Sequence, residues 1–264
     1  MTVFSNKGVV AALLLTASAF SFAGECDEHL IAVVPMASDV VLCKDAFLLG
    51  YDVDHRIPDW VAYKLTKESV EKYHERSDRF VPDEGVPQGG SAALSDYARS
   101  GFDRGHLAPS ASIDVTKEAM EQSFYLSNIA PQLPNLNRRG WKALEAQVRD
   151  MAIEYGEVYV VSGAQGHYRQ VGDALSDTKA GRNGRIKAGA LPNLGLMLDS
   201  HVSIPAYFYK AIYIPSTNTS GVYIIPHQGM DGDELASYFY PLERARTLLQ
   251  LSLFESTNSS FISR

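Results

Sequence analysis

An α+β domain is the fold class this sequence predicts, and three observations lead to it. The chain has 264 residues, 45% of them hydrophobic, enough to bury one sizeable core. Its apolar runs are short and rich in β-branched and aromatic residues, as in EVYVVSG, AYFYKAIYI and GVYIIP, which is the pattern of buried strands. These runs are interspersed irregularly with helical patterns, whereas a parallel α/β sheet alternates strand and helix. No internal repeat or long low-complexity linker divides the chain, so a single domain over residues 24–264 is expected.

Residues 1–23 read as a signal peptide outside that domain. Lys7 supplies a positive start, Val9 to Phe22 is apolar, and Ser21-Phe22-Ala23 offers small residues for cleavage near Ala23. The alternative, a membrane anchor, needs about 20 apolar residues, more than this run holds. Export agrees with the cysteine count: Cys26 and Cys43 are the two cysteines of the chain, and an oxidising compartment favours pairing them. Closing that loop restrains the unfolded chain by about 3 kcal/mol. A metal site is the alternative, since Cys26 and His29 stand at C-x-x-H spacing, but no second such pair accompanies Cys43.

The stretch HLIAVVPMASDVVLCKDAFLLGYD mixes short β-branched runs with turn residues and reads as strands, with Gly50-Tyr51 turning the chain. A strand over Trp60 to Leu65 then hands over to a helix capped at Thr66, with Glu68 in its first turn. Phe80 to Ser91, holding two prolines and three glycines, is loop. Thr116 to Phe124 is a short helix with a threonine cap. After Asn137, the residues Trp141, Leu144, Val148, Met151 and Tyr155 fall at the spacing of a buried helical stripe. Three strands follow, Pro241 to Leu251 closes with a helix, and the tail after Ser256 is loose.

The formal net charge of −7 excludes a protein that coats nucleic acid with a basic surface throughout. It leaves room for an enzyme that needs only a local positive site. Two basic stretches could supply one: Arg138, Arg139, Lys142 and Arg149, and the glycine-rich Lys179, Arg182, Arg185 and Lys187.

Chemistry gathers in GFDRGHLAPS, Gly101 to Ser110. Gly105 allows backbone conformations closed to other residues, Arg104 offers a planar cation suited to phosphate oxygens, and the His106 imidazole can accept a proton near neutral pH. That is a general base beside an anion-binding group. Read alone, a solitary histidine such as His106 is more often a satisfied structural residue than a catalyst; its neighbours change that.

The second piece is FYLSNIAPQLPNLNRRGWKALE, Phe124 to Glu145. In a helix starting near Asn137, Glu145 would lie on roughly the same side, about 12 Å along the axis. The two could then share one hydrated ion, the asparagine oxygen directly and the carboxylate through water. Alternatively Asn137 is a helix cap and Asn128 a turn residue.

DRGHLAPS, FYLSNIAPQ, LN and WKALE, with WVAYKLT before them and VYVVSG and SIPAYFYKAIYI after, resemble the DNA/RNA non-specific endonuclease family. These are the ββα-metal nucleases, which include mitochondrial endonuclease G and secreted bacterial sugar-non-specific nucleases. The likeness runs from about Trp60 to Gln228. It implies a mainly antiparallel central sheet flanked by helices, and metal-dependent hydrolysis of DNA and RNA that leaves 5′-phosphates. It also implies roles: His106 the general base, Asn137 the direct ligand of a hydrated Mg²⁺, Arg104 a phosphate contact, Asn128 a support for the histidine or the scissile region, and Glu145 a partner of a metal-bound water. Mn²⁺ is a possible substitute for Mg²⁺. Asp103 reads as structural, anchoring the turn. An upstream arginine assists phosphate binding in some members, and Arg76, Arg79 and Arg99 are all candidates here. All these contacts touch phosphate, metal or water, so little sequence preference follows. The product would be an exported enzyme, periplasmic or extracellular.

Rival classes find less support. His29, His55, His74, His167, His201 and His227 form no His/Asp metal cluster in the sequence, no GxSxG is present, and His74-Glu75 lacks the second histidine of HExxH because Asp78 stands there. A non-catalytic exported binding protein would have no need of the full residue set.

Overall fold

The computed structural model describes residues 26–29, 35–71, 73–167, 202–255 and 260–261. The predicted signal peptide, the Lys179 to Lys187 stretch and His201 lie outside them.

An antiparallel meander dominates. Strands β1 (Val40–Cys43), β2 (Leu48–Asp52), β3 (Ile57–Thr66), β6 (Glu157–His167), β7 (Pro205–Ile214) and β8 (Thr219–Pro226) pair in that order. The short β10 (Ser260–Phe261) adds to β8 in parallel, and β9 (Phe239–Tyr240) also pairs with β8, antiparallel. Each long strand alternates between two apolar layers. In β3, Val61, Tyr63 and Leu65 face one core while Trp60 and Ala62 face the other; in β7, Phe208 and Ile212 oppose Tyr209, Ala211 and Tyr213. Helix α5 (Leu242–Leu249) covers the second layer through Leu242, Ala245 and Leu249.

The first layer carries the rest of the molecule. Helix α1 (Lys67–Glu71) starts behind Thr66, whose Oγ1 accepts from the Ser69 amide at 3.1 Å. Helix α3 (Lys117–Gln122) starts behind Thr116, whose Oγ1 accepts from the Ala119 amide at 3.0 Å. Both threonines are the caps the sequence marks. Between them lie a four-residue helix, α2 (Leu94–Tyr97), and the start of a small separate sheet, β4 (Asp103–His106) with β5 (Ile129–Gln132). The predicted buried stripe forms α4 (Lys142–Tyr155), which lays Leu144, Val148 and Met151 against the large sheet.

Two local expectations change. Gly50-Tyr51 does not turn the chain: it lies inside β2, at a shift in register against β3, and the turn is at Lys44, whose amide donates to Phe47 O at 2.9 Å. Glycine stands at 50 because Trp60 occupies its flank; a Cβ there would come within 2.4 Å of the indole nitrogen. Gly105 is likewise not a hinge. It is an extended residue of β4, and a Cβ would meet Gln132 Oε1 at 2.4 Å, so it serves close strand approach.

Cys26 and Cys43 form a disulfide with Cα atoms 5.9 Å apart, tying the segment before β1 to the end of β1. Among the described residues no helix is long and apolar enough to cross a membrane.

Candidate active site

β4, β5 and α4 form one strand–strand–helix unit, and the site is built on it. In the β4–β5 ladder Arg104 lies opposite Pro131, Gly105 opposite Ala130 and His106 opposite Ile129. The chain then turns through Leu136–Trp141, which is π-helical, before α4 begins at Lys142. This corrects the helix expected from Asn137: that residue sits in a wider turn, so α-helical rise and phase do not apply between it and Lys142. Nor does Asn137 cap the helix. Its Nδ2 donates to Asp103 Oδ2 at 2.9 Å, across from β4.

A carboxylate accepts only, so this bond decides which way the Asn137 amide points. With the nitrogen facing Asp103, the amide oxygen is turned from it. Asp103 also accepts from Arg138 Nε at 2.8 Å and Nη2 at 2.6 Å, a bidentate pair. The aspartate, expected to anchor its own turn, is instead a β4 residue that anchors the metal-ligand candidate.

Asn128 is fully buried behind the strand end. Its Nδ2 donates to Ala108 O and Ser123 O, each at 2.9 Å, and its Oδ1 accepts from the Ala108 amide at 2.9 Å. Every polar atom of its amide is thereby engaged by backbone. It holds the segment leaving His106 and is not among the residues that line the cleft.

A cleft of about 480 Å³ opens between β4 and α4, lined by Arg76, Arg104, His106, Asn137, Arg138, Lys142, Glu145 and Arg149 together with Pro109, Ser110 and Ala111. A second cleft, of about 410 Å³, adjoins it and shares Arg76, Arg104, Asn137 and Arg138. Of the three upstream arginines, Arg76 alone lines these clefts. Its Nη1 donates to Ser110 Oγ at 2.6 Å, and its guanidinium lies 4.9 Å from the Phe124 ring centre. The exposed Arg104 guanidinium stacks 4.1 Å over Phe80. Arg149, four residues after Glu145, shares its side of α4 and donates from Nη1 to Ser112 Oγ at 3.3 Å. That helical spacing is the signal by which sequence reasoning could have added Arg149 to the site. Arg139, in the same basic stretch, pairs instead with Asp231 at 2.8 Å.

The His106 ring packs edge-on to Phe124, centres 5.0 Å apart, and tilted against Phe80 at 5.5 Å. Its Nε2 is buried and makes no hydrogen bond within the protein. Burial, helped by the nearby Arg76 and Arg104 cations, pushes its pKa down to about 3, so at neutral pH the ring is neutral and able to accept a proton. The Trp141 indole N–H donates to His106 O at 3.3 Å, which ties the strand end to the start of α4. Glu145 lines the cleft from α4. Burial raises its pKa, while the cations of Lys210, Arg149 and Arg76 pull it back.

Among the described residues no three His, Cys, Asp or Glu side chains are grouped to cage a metal. His227, one of the histidines outside the motif, is buried and satisfied. Its Nδ1 donates to Pro205 O and its Nε2 accepts from the Leu133 amide, each at 2.8 Å.

The comparisons agree with this geometry. The family model for DNA/RNA non-specific endonucleases matches residues 28–260. Nuclease C1 of Cunninghamella echinulata var. echinulata is 32% identical over 196 residues, 71% of each chain. Human mitochondrial endonuclease G is 31% identical over 205 residues, which cover 76% of this chain and 64% of that protein. A chain of the crystal structure of the EndoG/EndoGI complex superposes with a TM-score of 0.70 at 28% identity, covering 86% of this chain and 91% of that one. A strand–strand–helix unit presenting Arg104, His106, Asn137 and Glu145 to one basic cleft, and a family match over most of the chain, lead to one conclusion: this protein belongs to the DNA/RNA non-specific endonuclease family, with the ββα-metal nuclease fold and the phosphodiester-hydrolysing activity that define it.

Proposed function

We propose that this endonuclease is an exported, Mg²⁺-dependent enzyme that cleaves DNA and RNA with little sequence preference and leaves 5′-phosphates. The observation that carries the reading is the convergence of His106, Arg104, Asn137 and Glu145, from separate elements, on one cleft.

The donor set suits a hydrated divalent ion. The Asn137 amide oxygen is the one neutral oxygen ligand oriented by a partner, and the lack of a carboxylate cage among the described residues favours an ion that keeps most of its waters, as Mg²⁺ does. Asn137 would bind it directly and Glu145 through water. Mn²⁺, also a divalent ion at home among oxygen ligands, is expected to substitute. When bound, the ion polarises the phosphoryl group and stabilises charge on the leaving oxygen.

The protein's own residues do the rest. Arg104 and Arg76 seat the anionic phosphate and offset charge developing on its oxygens. Neutral His106 removes a proton from the attacking water; the new bond forms to phosphorus, the bond to the 3′ oxygen breaks, and phosphate stays on the 5′ end. The nitrogen available for this is Nδ1, since Nε2 is buried. The ring is held by Phe124, by Phe80 and by the Trp141 bond to its own carbonyl, so the base is preorganised. No group in the cleft has an evident reason to require or reject a 2′-hydroxyl.

Export, periplasmic or to the medium, is supported by the N-terminal apolar run and by the Cys26–Cys43 disulfide, which an oxidising compartment favours. The relatives include mitochondrial and fungal enzymes, so the address is tested directly, by the first residue of the mature chain and the fraction in which it is recovered. The catalytic reading is tested by digesting supercoiled DNA and RNA across a metal series with and without EDTA. Loss of both polymers only with Mg²⁺ or Mn²⁺ is the expected result; digestion in EDTA would overturn metal dependence.

A further inference from the structure

Lys210 is the one lysine among the described residues that is completely buried, at 0% exposure in the middle of β7. By strand alternation it occupies the face of Phe208 and Ile212, a position whose neighbours are core. Its ammonium donates to Ser162 Oγ at 2.6 Å and Tyr63 Oη at 3.0 Å, and stands 4.6 Å from the Trp141 ring centre. Ser162, on β6, is its cross-strand partner in the register, and Tyr63 reaches it from β3. Three strands and the start of α4 thus converge on one cation.

Two hydroxyls and an aromatic face solvate an ammonium but do not balance its charge. A charge buried without a counter-ion costs several kcal/mol, so a counter-ion is to be expected close by. Glu145 fills that place. It lies one helical turn beyond Trp141, on the same side of α4, and lines the cleft. Among the described acidic groups Glu145 is the one whose charge acts on Lys210, through space and without an ion pair at bonding distance.

We propose that Lys210 is a positioning residue of this nuclease, a cation sealed in the sheet that fixes the Glu145 carboxylate in the lining of the cleft, where it can hold a metal-bound water. The inference rests on the role given to Glu145 above. Surface cations such as Lys142 face the same cleft from solvent, where charges are screened and side chains move. Lys210 is instead held by two hydrogen bonds inside the protein, so its place relative to Glu145 is fixed.

The test is K210M, which keeps length and apolar volume and removes the charge, set beside E145Q and the double variant. For supercoiled DNA, K210M should lower kcat 10- to 100-fold with KM within threefold, the range typical of groups that orient metal partners. Calorimetric Mn²⁺ binding to the protein without nucleic acid should weaken about tenfold. The double variant should be no slower than E145Q alone, because Lys210 acts through Glu145. S162A, which removes one hydroxyl from Lys210 and leaves the charge, should lower kcat severalfold and do nothing further in the E145Q background; it keeps the question answerable if K210M does not fold. Wild-type kcat and Mn²⁺ affinity in K210M or S162A, or losses that multiply with that of E145Q, would overturn the proposal. If E145Q itself retains full activity, the role of Glu145 fails and Lys210 falls with it; if E145Q is impaired and K210M is not, only the Lys210 inference fails.

Discussion

His106 is partly buried and His227 fully so, and desolvation drives both below the ordinary imidazole value, to about 3 and about 4. They differ in what their nitrogens meet. His227 has a carbonyl on one and an amide N–H on the other, so its tautomer is set and nothing remains for a ligand. No hydrogen bond among the described residues engages His106 Nδ1, the nitrogen left to the cleft because Nε2 is buried, and the ring borders a cleft of cations. The asparagines repeat the contrast, Asn128 spending its whole amide on backbone and Asn137 only its nitrogen side. Unspent hydrogen-bonding capacity at a cleft wall, more than burial or pKa, separates the chemical member of each pair from the structural one.

The largest effect should come from breaking the chemical histidine. H106A is expected to lower kcat on DNA at least about 10³-fold while the melting temperature at pH 7 changes little, since general-base loss typically costs 10²- to 10⁴-fold. Near wild-type turnover would remove the base assignment.

The structural histidine should respond to pH instead. The folded pKa of His227 lies below its unfolded value of 6.5, so its contribution is complete above about pH 6.5 and is lost as pH falls toward about 4. That shift corresponds to about 3 kcal/mol. H227Q can donate and accept in the same two places without titrating. Chemical denaturation at pH 7 and pH 4 should therefore show the wild type losing about 3 kcal/mol more than H227Q over that interval. Parallel losses in the two proteins would contradict the assignment.

The asparagine contrast sharpens through Asp103. D103A removes the acceptor that dictates the Asn137 amide, and activity should fall about 10-fold with weaker Mn²⁺ binding in calorimetry. R138A, which removes the other, exposed partner of Asp103, should stay within about threefold because exposed ion pairs contribute little. The smallest test separates the upstream arginines: R76A should raise KM or lower kcat about tenfold and flatten the salt dependence of DNA binding, while R79A leaves both unchanged within about twofold.

The caps at Thr66 and Thr116 and the stripe of α4 were legible because they depend on residues within a turn or two of one another. The alternating strands were legible for the same reason. Gly50 and Gly105 were misread because a glycine's local meaning is backbone freedom, whereas here each yields space to a side chain from another strand. The π-helical turn at Leu136–Trp141 was hidden as well: nothing in LNRRGW distinguishes it from a first α-turn. Lys210 was overlooked because a single lysine in an apolar strand pattern reads as an interruption until its partners on β3, β6 and α4 come together.

By itself, then, the order of residues determined the α+β class, the capped and striped elements, the disulfide partners and the chemical types at His106, Asn137, Glu145 and Arg104, since propensity, periodicity and functional-group chemistry are local properties. Tertiary structure alone decided which upstream arginine lines the cleft, which asparagine keeps its amide oxygen unengaged and which lysine is sealed in the sheet against Trp141. Those choices depend on distances between segments far apart in the chain, and hydrogen bonds and charge pairing act only over a few ångströms.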